Sequence, residues 1–127
     1  MRIRCDNLPW HLDKRLIQIL DNSLISAEVD DGVTITFKDA TYSANTGGFH
    51  PVEVALRRDG TLIYITDFSY ISDELCKCLD FDFSLGLFQY YGMENPISSA
   101  REIFQLWQSN FIAYHADNVY TVSVEPW

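Results

Sequence analysis

Two runs of alternating residues, Val52–Arg58 and Thr61–Tyr70, are separated only by Asp59-Gly60. Successive side chains of a strand point to opposite faces. Asp-Gly between two such runs signals a hairpin, because a tight primed turn needs positive φ at its central residues. The second run carries Ile63, Ile65, Asp67 and Ser69 on one face, and Leu62, Tyr64, Thr66, Phe68 and Tyr70 on the other. Apolar groups on both faces predict a strand covered on both sides for much of its length, central in a sheet.

The rest of the chain reads as partners and cover for this hairpin. Asp30-Asp31-Gly32 is a turn, after which Val33, Ile35 and Phe37 alternate with Thr34, Thr36 and Lys38 in a half-buried strand. Thr41–Pro51, TYSANTGGFHP, is a small, polar, glycine-bearing loop with room for a short strand at its start. Ser72–Cys78 is expected to be a turn or a short helical turn. Leu79–Leu85 alternates apolar residues with Asp80, Asp82 and Ser84; Leu87–Tyr91 returns, and Gly92–Pro96 is a loop.

Two helices are expected. One covers about residues 8–25, with Asn7 as N-cap, Pro9 in the first turn, and Leu12, Leu16, Ile17, Ile19, Leu20 and Leu24 on its apolar side. The other covers about 99–115. It opens on a Ser99/Glu102 capping box and carries an apolar stripe of Ala100, Phe104, Trp107, Phe111 and Tyr114, widened by Ile103 and Leu106. A final strand follows over Val119–Val124. The expected fold is α+β: a mainly antiparallel sheet of about five to six strands, both helices packed on it, and the last strand after the second helix. A length of 127 residues without repeats or linker fits one domain, 1–127.

Charge narrows the function. The net charge is −9, and residues 64–127 hold nine Asp or Glu against Lys77 and Arg101 alone. Such a surface repels phosphate backbones, so direct nucleic-acid binding is not expected. The longest apolar-rich piece, Leu16–Leu20, is too short to span a membrane. Three cysteines, Cys5, Cys76 and Cys78, make no disulfide framework, and no apolar run follows the basic N-terminal residues. Both features point to a reducing cytoplasm.

Thr41–Gly60, Tyr64–Tyr70 (YITDFSY), Leu79–Phe83 (LDFDF) and Phe104–Phe111 (FQLWQSNF) together resemble a bacterial family of small proteins of unknown function. The resemblance runs from about Asp39 onward. It implies a small, single-domain bacterial protein and supplies no catalytic residue, cofactor or substrate.

Four groups of residues could carry chemistry. Cys76-Lys77-Cys78 with His50 offers soft-metal ligands, but the spacing fits no common zinc site, and neither metal nor cofactor is expected. Asp80 and Asp82 share one face of a strand, where they could hold a hard cation or pair as acid and base. The alternation also explains them as a solvated face. The loop Asn45-Thr46-Gly47-Gly48-Phe49-His50 fits no phosphate-binding fingerprint, yet His50 suits proton transfer near neutral pH. Trp10, Phe49, Tyr70, Tyr90, Tyr91 and Trp127 lie near element ends and could form a patch for a partner. The expected binding residues are Asn45, Gly47, Gly48, Phe49, His50, Asp67 and Tyr70. The simplest reading is a binding or protein-interaction module acting on an unknown protein partner or as a homodimer. The competing reading is a small hydrolytic or metal-assisted enzyme using His50 with Asp67 or the Asp80/Asp82 pair.

Overall fold

A computed structural model describes residues 1–127. Its strands are β1 (Gly32–Lys38), β2 (Val52–Arg57), β3 (Leu62–Ile71), β4 (Glu74–Asp82), β5 (Leu87–Tyr90), β6 (Met93–Pro96) and β7 (Thr121–Pro126). They form one seven-stranded antiparallel sheet in the order β6-β5-β4-β3-β2-β1-β7. Helices α1 (Lys14–Ser23) and α2 (Arg101–Ala116) complete the α+β fold. Cross-strand partners point to the same face, so Ile35, Val54, Ile65, Phe81 and Phe88 make one row across the sheet. That row packs in a single core with Leu16 and Leu20 of α1 and Phe104, Trp107 and Phe111 of α2.

β3 is central, as its two-sided apolar pattern predicts, but no helix covers its second face. The row there is Thr36, Glu53, Thr66, Asp80 and Gln89. Polar groups on this face pair with one another: Tyr64 donates to Glu53 and Thr66 to Asp80, each at 2.8 Å. Lateral neighbours, not a second layer, bury Thr66 and Asp80.

The sheet has seven strands rather than five to six. Gly92–Pro96, expected as a loop, supplies the edge strand β6. Ser72–Cys78, expected as a turn, mostly belongs to β4. The turns that make this possible use non-glycine residues at positive φ: Ser72 (55°) before β4, and Tyr91 (47°) beside Gly92 (84°) before β6. Such residues give little sequence signal, because a bulky side chain rarely takes this conformation. The Asp59-Gly60 hairpin forms, but only Gly60 has positive φ (89°), so the turn is not the primed kind. Gly60 also receives the N-terminal segment: Arg4 N–H donates to its carbonyl at 2.9 Å.

Both helices start later than expected. Asp13, not Asn7, caps α1 by accepting from Arg15 N–H at 2.8 Å. Residues 8–13 instead feed Trp10 and Leu12 into the core, and Trp10 packs 5.1 Å from Phe104. The capping box at α2 does not form. Ser99 donates back to the Pro96 carbonyl at 2.7 Å in a 3-10 turn, Ile97–Ala100. The stripe of α2 is buried through Phe111, while Leu106, expected to widen it, is 63% exposed.

Candidate functional site

The row next to the central one runs Phe37, Val52, Asp67, Leu79 and Tyr90, and faces the helices. Asp67 is its one charged member. A buried carboxylate among apolar neighbours needs a partner. Its partner is His50, whose Nδ1 lies 3.3 Å from both carboxylate oxygens.

The loop before β2 delivers His50. Asp39 staples that loop shut: one carboxylate oxygen accepts from Thr41 N–H and Oγ1 (2.9 and 2.7 Å), and the other from Phe49 N–H (3.0 Å). The Phe49 and Thr41 donors hold the Asp39 carboxyl below the usual carboxylate range. A Cβ at Gly48 (φ 135°) would lie 2.8 Å from the Asp39 carboxylate, so the staple needs glycine there. Tyr42 packs against His50 with ring centres 5.6 Å apart, and its hydroxyl accepts from Tyr70 N–H at 3.0 Å.

A β-bulge supplies the third group. Asp67 pairs with Leu79 and Phe68 with Lys77, so Cys78 is the extra residue. A bulge re-aims side chains, and Cys78 joins Leu79 in lining the cleft. Ligating atoms of His50, Asp67 and Cys78 all lie within 4.8 Å of one another. Burial pushes the Cys78 thiol up, with Asp67 adding to the effect, while the Tyr91 and Ser69 hydroxyls favour the thiolate. These two hydroxyls are themselves bonded at 2.7 Å.

Above this polar corner is a cleft of about 460 Å³ between α2 and the sheet. Its walls are mostly apolar: Val52 and Leu79 from the sheet, Ile103, Leu106, Trp107 and Phe111 from α2, with Tyr90 at the exposed rim. Phe49 closes one side against Tyr114, with ring centres 4.6 Å apart.

Of the seven residues expected to bind, Gly48, Phe49, His50 and Asp67 line the cleft. Asn45 and Gly47 sit at the exposed loop tip, and Tyr70 packs on Tyr42 outside the lining. Cys76 does not join His50; its thiol faces the Glu74 carbonyl at 3.6 Å. Asp80 and Asp82 lie on the opposite face from Asp67 and act separately: Asp80 accepts from Thr66, while Asp82 accepts from Ser84 and from Leu85 N–H. Of the six aromatics expected near element ends, Phe49 and Tyr90 line the cleft and Tyr91 packs on Tyr90. Trp10 is in the core, and Trp127 donates to Thr34 on the far face of the sheet at 3.1 Å. Sequence reasoning missed Asp39, whose carboxylate organises the loop; it named Cys78 with His50 but coupled it to Cys76, which lies outside the group. An acid just before a glycine-bearing loop was the available signal for Asp39; the bulge that separates Cys78 from Cys76 has no such signal.

The His50–Asp67 pair predicts a pH dependence. The hydrogen bond to Asp67, outweighing burial, raises His50 above its ordinary 6.5. A raised folded-state pKa adds stability that is fully present below the unfolded value and disappears as pH rises through the folded value. Urea midpoints of metal-free protein between about pH 5 and pH 9 should therefore fall relative to those of His50→Gln. Parallel pH curves for the two proteins would remove the pair as a stabilising contact.

The family described as "Protein of unknown function (DUF2787)" matches residues 11–125. Among solved structures, the conserved hypothetical protein VC1805 from pathogenicity island VPI-2 of Vibrio cholerae is 42% identical, with a TM-score of 0.83, over 97% of this chain and 99% of that one. It is reported to share structural homology with the human P32 protein. The hypothetical protein VC0508 from the Vibrio cholerae VSP-II pathogenicity island is 33% identical, with a TM-score of 0.86, over 98% of each chain. No curated protein matches the chain. No helix is long and apolar enough to cross a membrane.

Proposed function

The chain belongs to the DUF2787 family, proteins of unknown function, and on that premise we propose that it is a binding protein for a small, largely apolar molecule with one polar end. The observation that carries this reading is the cleft itself: apolar walls with a single polar corner made by His50, Asp67 and Cys78. Small-ligand sites are commonly clefts of about 300–1,000 Å³ with mostly apolar linings and a few placed polar groups. In this reading the ligand's apolar body lies between Trp107 and Leu79. Its polar end meets His50, which Asp67 holds in place. A hydrolytic reading has less support, because burial keeps the Cys78 thiol protonated and Ser69 is engaged with Tyr91.

The probe is anilinonaphthalene sulfonate, an apolar ring system with one anionic group. It should bind at one equivalent with a blue-shifted emission. Leu106→Asp, at an exposed rim position, should weaken binding by about tenfold or more, since losing burial of one leucine is worth at least about 1.4 kcal/mol. Partly unfolded protein also binds this dye, so a cooperative melt must accompany the titration. Binding unchanged by Leu106→Asp, or none by folded protein, would count against the cleft.

A further inference from the structure

We propose that His50, Asp67 and Cys78 form a binding site for a zinc-class divalent metal ion, with its fourth coordination position open to the cleft.

The donor set is one nitrogen, one oxygen and one sulfur, which suits a borderline-soft ion. Three protein ligands with one open position is the arrangement of ligand-accepting zinc sites, whereas purely structural sites are closed by four. The spacing also fits. Bonds of about 2.0–2.3 Å in a tetrahedron put neighbouring ligand atoms about 3.3–3.6 Å apart. His50 Nδ1 stands 3.3 Å from each Asp67 oxygen. That separation is long for a charge-assisted hydrogen bond, which closes to about 2.7–2.9 Å, but it matches two ligands of one ion. Cys78 Sγ completes a group in which every separation is within 4.8 Å, so a shift of about 1 Å closes the set around an ion.

The surroundings point the same way. The Asp67 carboxylate and the Cys78 sulfur stand on the same corner as the His50 ring. A divalent ion there is held by both, and Cys78 releases its thiol proton to solvent on binding. Next to Cys78, the Ser69 and Tyr91 hydroxyls are bonded to each other at 2.7 Å. Such outer groups hold metal ligands in orientation. Asp39 and Gly48 do the equivalent for the loop that carries His50. The site is assembled by a loop, a strand and a bulge, which explains why it has no recognisable spacing in the sequence.

Cobalt(II) titration of the reduced, metal-free protein tests the assignment. One equivalent should bind, with a near-ultraviolet thiolate-to-cobalt absorption and visible bands of a tetrahedral ion. Cys78→Ser should abolish the near-ultraviolet band, and Cys76→Ser should keep it. His50→Gln, on the loop and away from the core, should weaken cobalt binding by about 100-fold, at least the loss seen when groups behind a ligand are changed. No thiolate band in the wild-type protein would overturn the proposal without any variant. So would a band that survives Cys78→Ser or vanishes with Cys76→Ser. Dye binding by metal-free protein reports on the cleft alone, so failure of one result is distinguishable from failure of the other.

Discussion

Replacing Phe81 with alanine is expected to remove about 4 kcal/mol of unfolding free energy. Phe81 is fully buried in the sheet's core row, between Ile65 and Phe88. Its ring meets Phe104 edge-on at 5.0 Å, stacks on Phe88 at 5.2 Å and lies 6.0 Å from Trp107. These neighbours are rigid rings fixed by a further strand and a helix, so they cannot flow into the space left behind. The loss therefore combines transfer of the ring to water with a cavity that stays open. Domains of ordinary stability hold only about 5–15 kcal/mol in total, so the variant should melt roughly 10–15 °C lower. Urea unfolding followed by far-ultraviolet circular dichroism measures it. A loss under about 1.5 kcal/mol would mean that the aromatic cluster repacks, and that the core is less rigid than its ring geometry implies.

The second large effect is expected at Gly60→Ala, at a cost of about 2–3 kcal/mol. Two causes combine there. Gly60 has φ of 89°, which a side chain resists, and its added Cβ would run into the Arg2 carbonyl. Backbone cannot swing aside as a long side chain can. The N-terminal segment must then leave, giving up the Arg4–Gly60 hydrogen bond and the parallel bridge from Arg4 to Thr61. Ile3, buried in the core, would follow it. Gly92→Ala is the matched control, because Gly92 has φ of 84° but nothing within 4 Å of its would-be Cβ. It should cost only about 1 kcal/mol, from the conformation alone. Equal losses at the two glycines would show that docking of the N-terminal segment contributes nothing to stability.

The fold was legible wherever a period ran unbroken. The alternation in β1 and β2 and the Phe104–Trp107–Phe111 stripe of α2 specify their own faces, because one side of each must be dry, whereas the two-sided apolar pattern of β3 gave its place in the sheet but not its open face. The errors fall where local chemistry competes with period. Pro9 can open a helix, yet Trp10 and Leu12 were worth more in the core. Ser99 and Glu102 have capping-box spacing, but the Pro96 carbonyl offered Ser99 a nearer partner. The site was half legible. His50 and Asp67 were both named, since a titratable loop residue and an acid in an apolar strand each invite a partner. That Cys78 joins them follows from one extra residue between two strands, which alternation cannot encode. Asp80 and Asp82 obeyed their period and remained on the other face.

The placement of β7 against β1 has a consequence for the order of assembly. β2, β3, β4, β5 and β6 form a meander in which each strand meets the next after a short turn, so these contacts can form early and locally. β1 has one neighbour close in sequence and one at the far end of the chain: Val33 pairs with Pro126, and Gly32 exchanges hydrogen bonds with Trp127. While the chain emerges from a ribosome, Gly32–Lys38 must therefore wait with one side open until Thr121–Pro126 has been added. That strand, GVTITFK, is β-branched, nearly uncharged and free of proline, the composition that pairs readily with other chains. A chain interrupted before Thr121 thus carries the other six strands with β1 as an unpaired edge. Thr121–Trp127 act as the seal, because their pairing with Gly32–Lys38 takes up the open side of β1.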